Sequence, residues 1–197
     1  MRGVPFDENK LGALSDTERR GVAESFGRTV ALLQREATTI ADRNWQPLDD
    51  RCTALLVGLR DASPRDRTLC DSLLTEIDAI PADHRAAFVH GDAHLSNLLV
   101  DDSNRVCGLV DFAEAGRGFR EIDLAYLHWL PAIAETARAA YQVAAARQID
   151  ERAYCLAGAV YALTSAVLGE RAGTTADAAQ NRALLRRCVD AIGPARR

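Results

Sequence analysis

The apolar positions divide the chain into stretches of different period. Behind Ser15-Asp16-Thr17-Glu18, a capping-box pattern, Val22, Phe26, Val30 and Leu33 recur at helical spacing and predict a helix over about 17–41. Trp45-Gln46-Pro47 interrupts it. Leu48, Cys52, Leu55, Leu56 and Leu59 then mark a second amphipathic helix. Ser63-Pro64 reads as an N-cap with proline in the first turn of a third helix, which carries Leu69, Leu73, Leu74, Ile77 and Ile80 up to Pro81.

The period then shortens. Residues 86–89, 97–101 and 106–112 are short apolar runs bounded by polar turns, and the last two flank Asp101-Asp-Ser-Asn-Arg105, a hairpin turn by composition. Helical spacing returns over 121–130, from Pro131 to about 147, from an Asp150 cap to about 168, and over 175–192. Residues 153–169 carry no charge, yet they hold Gly158, Thr164, Ser165 and two tyrosines and are at the short limit for a bilayer span. They read as a buried core helix. The expected fold class is α+β, mainly α. It is one domain over 1–197, helical over 1–80, with a small β-hairpin insert over 86–112, and helical again over 121–197.

Composition narrows the function classes. With 24 basic against 28 acidic side chains the net charge is −4, a poor match to phosphate-rich nucleic acid. The five cysteines are odd in number and never form C-x-x-C, which reads as buried free thiols of a reducing cytosol. The N-terminus turns acidic before any apolar run develops, so it has no secretory signal pattern. A cytoplasmic location without a membrane or nucleic-acid partner is expected. Lys10 is the one lysine; every other basic residue is arginine.

The charge is not spread evenly. Between Asp92 and Asp123 seven acids face three arginines, an excess equal to that of the whole chain. Within this span a loop leaves a strand after His90, carries Asp92, and reaches Asn97 at the start of the hairpin, whose second strand ends at Asp111. Paired strands lie about 4.8 Å apart, so Asn97 and Asp111 at one end of the hairpin can face one ion. Their oxygens are hard ligands suited to Mg2+ that keeps several waters and phosphate oxygens. Asp92 beside them has the placement of a base that accepts a hydroxyl proton during phosphoryl transfer.

The string H-G-D-x-x-x-x-N, then a hairpin and V-D-F, resembles the catalytic core of the aminoglycoside phosphotransferase and choline kinase-like enzymes, relatives of protein kinases. The matching residues are His90-Gly91-Asp92, Asn97, Asp111-Phe112 and Asp123-Leu124-Ala125. The resemblance implies a protein kinase-like C-terminal lobe that binds ATP and Mg2+ and moves the γ-phosphoryl of ATP to a small-molecule hydroxyl, in a family known for antibiotic resistance. It implies Asp92 as catalytic base, Asn97 and Asp111 as metal ligands, and His90 and Asp123 as supports of the catalytic loop. Residues 1–6 resemble the segment after the hinge between the lobes, so the N-terminal β lobe is absent from the matched part. A missing lobe or partner chain would complete the site, and turnover by this chain alone is expected to be poor. Two departures from the family concern loop detail: Leu95 stands where the family usually has proline, and Phe119-Arg120 where it often has Asp-Pro.

His94 is a candidate substrate contact and, alternatively, a ring packed on the catalytic loop. Glu114 and Glu121 are candidate contacts to a cationic substrate. Gly116-Arg117-Gly118 reads as a glycine turn, the tyrosines and Trp129 as core, and Arg182, Arg186, Arg187, Arg196 and Arg197 as a solvated basic face. Two other function classes stand beside the phosphotransferase. One is a non-catalytic lobe that binds nucleotide, ligand or a partner protein. The other is a hydrolase in which the H-x-D-x-H string His90-x-Asp92-x-His94 holds a transition metal.

Overall fold

The computed structural model describes residues 3–36, 48–81, 84 and 87–193. Among these, six helices, α1 (Asp16–Glu36), α2 (Leu48–Ala62), α3 (Arg67–Asp78), α4 (Pro131–Ala145), α5 (Glu151–Ala172) and α6 (Thr175–Ile192), surround short strands. The strands are β1 (Val4–Pro5), β2 (Ala87–Val89), β3 (Leu98–Val100), β4 (Val106–Leu109) and β5 (Gly116–Gly118). The expected α1 end beyond Glu36 and the break at 45–47 lie outside the described residues.

Local chemistry accounts for the helix starts. Ser15 N donates to Glu18 Oε2 at 2.8 Å while Glu18 N donates to Ser15 Oγ at 3.3 Å, a reciprocal cap on α1. Asp150 Oδ1 accepts from Arg152 N and Ala153 N at 2.9 and 3.0 Å and caps α5. Ser63 does not cap α3. Its hydroxyl donates to Asp66 Oδ2 at 2.7 Å, and a 3-10 turn over Pro64–Asp66 precedes the helix.

The strands form two small antiparallel sheets. In the first, β1 pairs with β3 and β3 with β4, with Leu98 opposite Leu109. In the second, β2 pairs with β5, so Gly116-Arg117-Gly118 is a strand and not a free turn. Where a helix is expected over 121–130, residues 120–129 form ten residues of successive 3-10 turns. This segment runs between two apolar cores. Phe119, Ile122 and Ala125 enter the core of α2, α3, α5 and α6, whereas Leu124 and Leu127 enter that of α1, α4 and the β3–β4 hairpin. The loop after β2 spans the same seam, from Val89 in the first core to Leu95 in the second.

By length and composition α5 could cross a membrane, but 61% of its most apolar window is buried inside the fold, with Leu156, Val160 and Leu163 in the first core. All five cysteines are free; Cys52, Cys70 and Cys188 are buried, whereas Cys107 is exposed and Cys155 half-buried. Arg182 is not part of a solvated face. It donates to both oxygens of Asp66, at 2.6 and 2.9 Å, and to Glu170 at 3.1 Å, tying α6 to the turn before α3 and to the end of α5. Burial pushes the Asp66 carboxyl up, but the hydrogen bonds from Arg182 and Ser63 hold it below the usual carboxylate range.

Candidate active site

The loop between β2 and β3 is fixed from within. Gly91 adopts φ +80°, in the left-handed region where a Cβ would cost roughly 1–2 kcal/mol. Its N–H donates to Asp123 Oδ1 at 2.8 Å, the N–H of His90 donates to Asp123 Oδ2 at 3.0 Å, and the Tyr161 hydroxyl donates to Gly91 O. Asp123 is 1% exposed. Burial pushes its carboxyl up, and the N–H groups of Gly91, His90 and Gln34 work in the opposite direction. His90 is also buried: Nε2 bonds Val110 O at 2.9 Å, Nδ1 accepts from Asp92 N at 3.3 Å, and the ring packs on Phe112 at 4.6 Å between centroids. The carbonyl can only accept, so the proton is on Nε2.

This scaffold presents Asp92, whose side chain is 38% exposed. Asn97 Nδ2 donates to Asp92 O at 3.0 Å and to Asp92 Oδ2 at 2.9 Å. Among the described residues Asp92 Oδ1 and Asn97 Oδ1 accept no hydrogen bond. Asn97 closes a 3-10 turn rather than opening β3, but the expected end of the hairpin is the same: Asn97 O accepts Val110 N at 2.9 Å. Asp111 follows at φ +62°, ψ +72°, a left-handed conformation that aspartate tolerates, and among the described residues its exposed carboxylate accepts one hydrogen bond, from Ala113 N at 3.4 Å.

Asp92 faces two recesses, both also lined by Gly91 and Tyr161. One, of about 270 Å3, is walled by His94, Tyr126, Trp129, Ser165 and Asn181. The other, of about 280 Å3, includes Cys52, Glu114 and Thr164. His94 packs on the loop, as one of its two readings expects, and also lines a recess. It lines the first recess, with Nε2 at 3.5 Å from Asp92 Oδ2, and it caps the turn by accepting from Ser96 N at 3.2 Å. Glu114 lies in the second recess. Glu121 lies in neither: it is 2% exposed and its Oε1 accepts Asp150 N at 3.1 Å, so its placement as a substrate contact is corrected.

The aromatic walls, which the sequence predicts as core, pack against the apolar cores and line the recess as well. A 3-10 helix repeats every three residues, so Asp123, Tyr126 and Trp129 form one row toward the recess while Glu121, Leu124 and Leu127 form another toward the interior. Tyr126 and Trp129 lie nearly parallel with centroids 6.0 Å apart, and Trp129 Nε1 donates to Asn181 Oδ1 at 2.8 Å.

The family profile described as the phosphotransferase enzyme family, APH, matches residues 1–156, a span that contains the whole of this loop, hairpin and Asp123. The chain belongs to that phosphotransferase family. Solved structures agree on the fold. The chain is similar to a thermostable variant of aminoglycoside phosphotransferase APH(4)-Ia in ternary complex with ADP and hygromycin B, at 18% identity and TM-score 0.68, covering 98% of this chain and 70% of that one. It is similar to a choline/ethanolamine kinase family protein from Mesorhizobium loti, at 14% identity and TM-score 0.66, covering 96% and 71%. A third likeness is to APH(2")-IIia in complex with GDP and kanamycin, at 16% identity and TM-score 0.60, covering 95% and 68%. In this fold the described helices and hairpin correspond to a helical C-terminal lobe, as the resemblance implied.

The phosphotransferase reading fits the donor set better than the transition-metal one. Both ring nitrogens of His90 are engaged, and no group of three or more His, Cys, Asp or Glu side chains among the described residues is arranged to hold a metal. Asn97 Oδ1 and the Asp111 carboxylate are instead hard oxygens without other strong partners among the described residues, flanking one end of a hairpin. Two protein ligands of this kind suit Mg2+ that completes its shell with water and phosphate.

Proposed function

We propose that the chain is an ATP-dependent kinase of small-molecule hydroxyls, built as one kinase-like lobe over 1–197. Asp92 is the base, Asn97 and Asp111 hold Mg2+, and His90 and Asp123 hold the loop. The observation that carries this is the division of labour within Asp92. Oδ2 is fixed by Asn97, while Oδ1 is unengaged among the described residues and, since Asp92 lines the aromatic recess, can accept the proton of a hydroxyl seated there. Mg2+ bound at Asn97 and Asp111 would offset the charge of the nucleotide phosphates. Tyr126, Trp129 and Tyr161 supply flat faces for the acceptor, and His94, Ser165 and Asn181 supply polar contacts.

Turnover by these 197 residues alone is slow in this reading. Phosphoryl transfer needs cations around the phosphates, and the one lysine, Lys10, is exposed on a 3-10 turn over Glu8–Ala13, ahead of α1. Lys10 lies on that turn and on no strand, so in this reading it is not the strand lysine of a complete kinase. Calorimetric titration with ATP, with and without Mg2+, tests the reading. Binding that requires Mg2+ supports it; ATP heats that are absent, or indifferent to Mg2+, overturn it.

A further inference from the structure

The buried polar chain that ends on Asp123 begins far from the cleft. Gln34, near the C-terminal end of α1, is 5% exposed, and Tyr141, on α4, is 1% exposed. The Tyr141 hydroxyl donates to Gln34 Oε1 at 2.7 Å. Gln34 Nε2 donates to Asp123 Oδ2 at 3.1 Å and to Arg120 O at 3.0 Å. Each step has a fixed direction. Arg120 O can only accept, so the Gln34 amide must turn its NH2 toward it and toward Asp123, which leaves Oε1 for Tyr141 and makes the tyrosine the donor. Asp123 then passes the constraint to the loop through the N–H groups of His90 and Gly91. From the opposite side Tyr161, on α5, holds Gly91 O. The peptide groups on both sides of Gly91 are thus gripped from helices on both sides of the seam, one residue before Asp92.

We propose that Gln34 and Tyr141 are positioning residues for Asp92, acting through the Asp123 carboxylate on the backbone of His90 and Gly91. Neither lines either recess beside Asp92. Their effect on chemistry is through the aim of the loop. Without the Tyr141 hydroxyl, Arg120 O and Asp123 still orient the Gln34 amide, but its buried Oε1 loses its donor, which loosens the amide and weakens the third N–H on Asp123. Without Gln34, a nearly inaccessible carboxylate keeps two donors instead of three, and the burial that already opposes its charge is less well offset. The role given to Asp92 as base underlies this proposal, yet the state of the loop can be read whether or not the chain turns over, so the two can fail separately.

The test is the amide spectrum of the full chain in three variants, Tyr141→Phe, Gln34→Leu and Ser25→Ala. Ser25 is the control: it is buried, its Oγ accepts Val106 N at 2.8 Å, and it serves the hairpin rather than the loop. Tyr141→Phe and Gln34→Leu are expected to shift the Gly91 and His90 amide protons upfield and to speed their hydrogen exchange by about tenfold, the factor expected for one hydrogen bond of ordinary worth. Ser25→Ala is expected to lower stability and leave both signals in place. Should Gln34→Leu fail to fold, Tyr141→Phe, which removes a single oxygen, decides alone. The proposal is overturned if Tyr141→Phe leaves both amides unmoved, or if Ser25→Ala moves them equally far.

Discussion

Asn97 holds Asp92 twice with one amide nitrogen, through the backbone oxygen at 3.0 Å and through the carboxylate at 2.9 Å. The first bond survives any change to the Asp92 side chain, so Asp92→Ala should keep the loop while removing the base. Transfer is expected to fall roughly 100- to 10,000-fold, the range for losing a general base, with the unfolding midpoint nearly unchanged. Rates are measured with an acceptor that the wild-type chain phosphorylates. An Asp92→Ala protein as active as wild type would mean that the proton leaves by another route.

Asp111 combines a left-handed backbone, φ +62°, with a carboxylate that has no ion-pair partner among the described residues. Asn tolerates that backbone nearly as well as Asp, so Asp111→Asn separates charge from conformation. The expected result is weaker binding of Mg2+ and ATP by at least about tenfold, with little change in stability, since the side chain makes one long hydrogen bond. Calorimetry with MgATP measures it. Heats identical to wild type would remove Asp111 from the metal site.

How much of this was legible in sequence depends on how locally it is encoded. The hairpin, the Asp92–Asn97 spacing and the Asp111 position lie within twenty residues, so strand geometry alone brings them together. The helices α4, α5 and α6 carry their periods on their own sequences, and α5 its Asp150 cap as well. What escaped depends on distant packing. Gln34 meets Asp123 across 89 positions, and nothing near Gln34 marks it as more than a helix residue. Tyr126 and Trp129, expected as core, do pack against the two apolar cores, but they also line the recess, whereas Glu121, expected to face a substrate, is buried. The 3-10 period that sets these faces has no mark in the local sequence. The acidic excess was real, but it does not describe one surface. Asp123 and Glu121 are buried, whereas Asp101 forms the hairpin turn by accepting from Ser103 N and Arg105 N.

A third prediction concerns pH. His128 stacks on Tyr154 at 3.9 Å, and its Nε2 bonds Tyr154 O at 3.2 Å. Burial pushes its pKa down. In the unfolded chain a histidine titrates near about 6.5, so below that pH the unfolded state takes up a proton that the native state refuses. Stability from this group is therefore complete above about pH 6.5 and is lost as pH falls, by at most about 1.4 kcal/mol per pH unit. His128→Gln keeps a donor for Tyr154 O and cannot titrate. Urea melts at about pH 7, 6 and 5 should show wild type losing more stability than His128→Gln across that window, and parallel losses would sink the assignment.

The last prediction links packing to the site. At Gly27, α1 approaches α4 so closely that a Cβ would come within 2.1 Å of Ala137 O and 2.8 Å of Tyr141 N. Both of those are backbone atoms, so no side-chain rotation relieves the clash and the helices must separate. Gly27→Ala is expected to cost about 1–3 kcal/mol or more, as overpacking of a rigid contact does, although alanine is the better helix former by about 1 kcal/mol. Because one of the displaced atoms belongs to Tyr141, the cost should not stay at the crossing. Any retreat of α4 lengthens the 2.7 Å bond from Tyr141 to Gln34 and loosens Asp123. Gly27→Ala should therefore lower the urea midpoint and also speed exchange at the Gly91 amide beyond what the same loss of stability produces in Ser25→Ala. A fall in midpoint with Gly91 exchange no faster than in that control would confine the effect of the close crossing to stability.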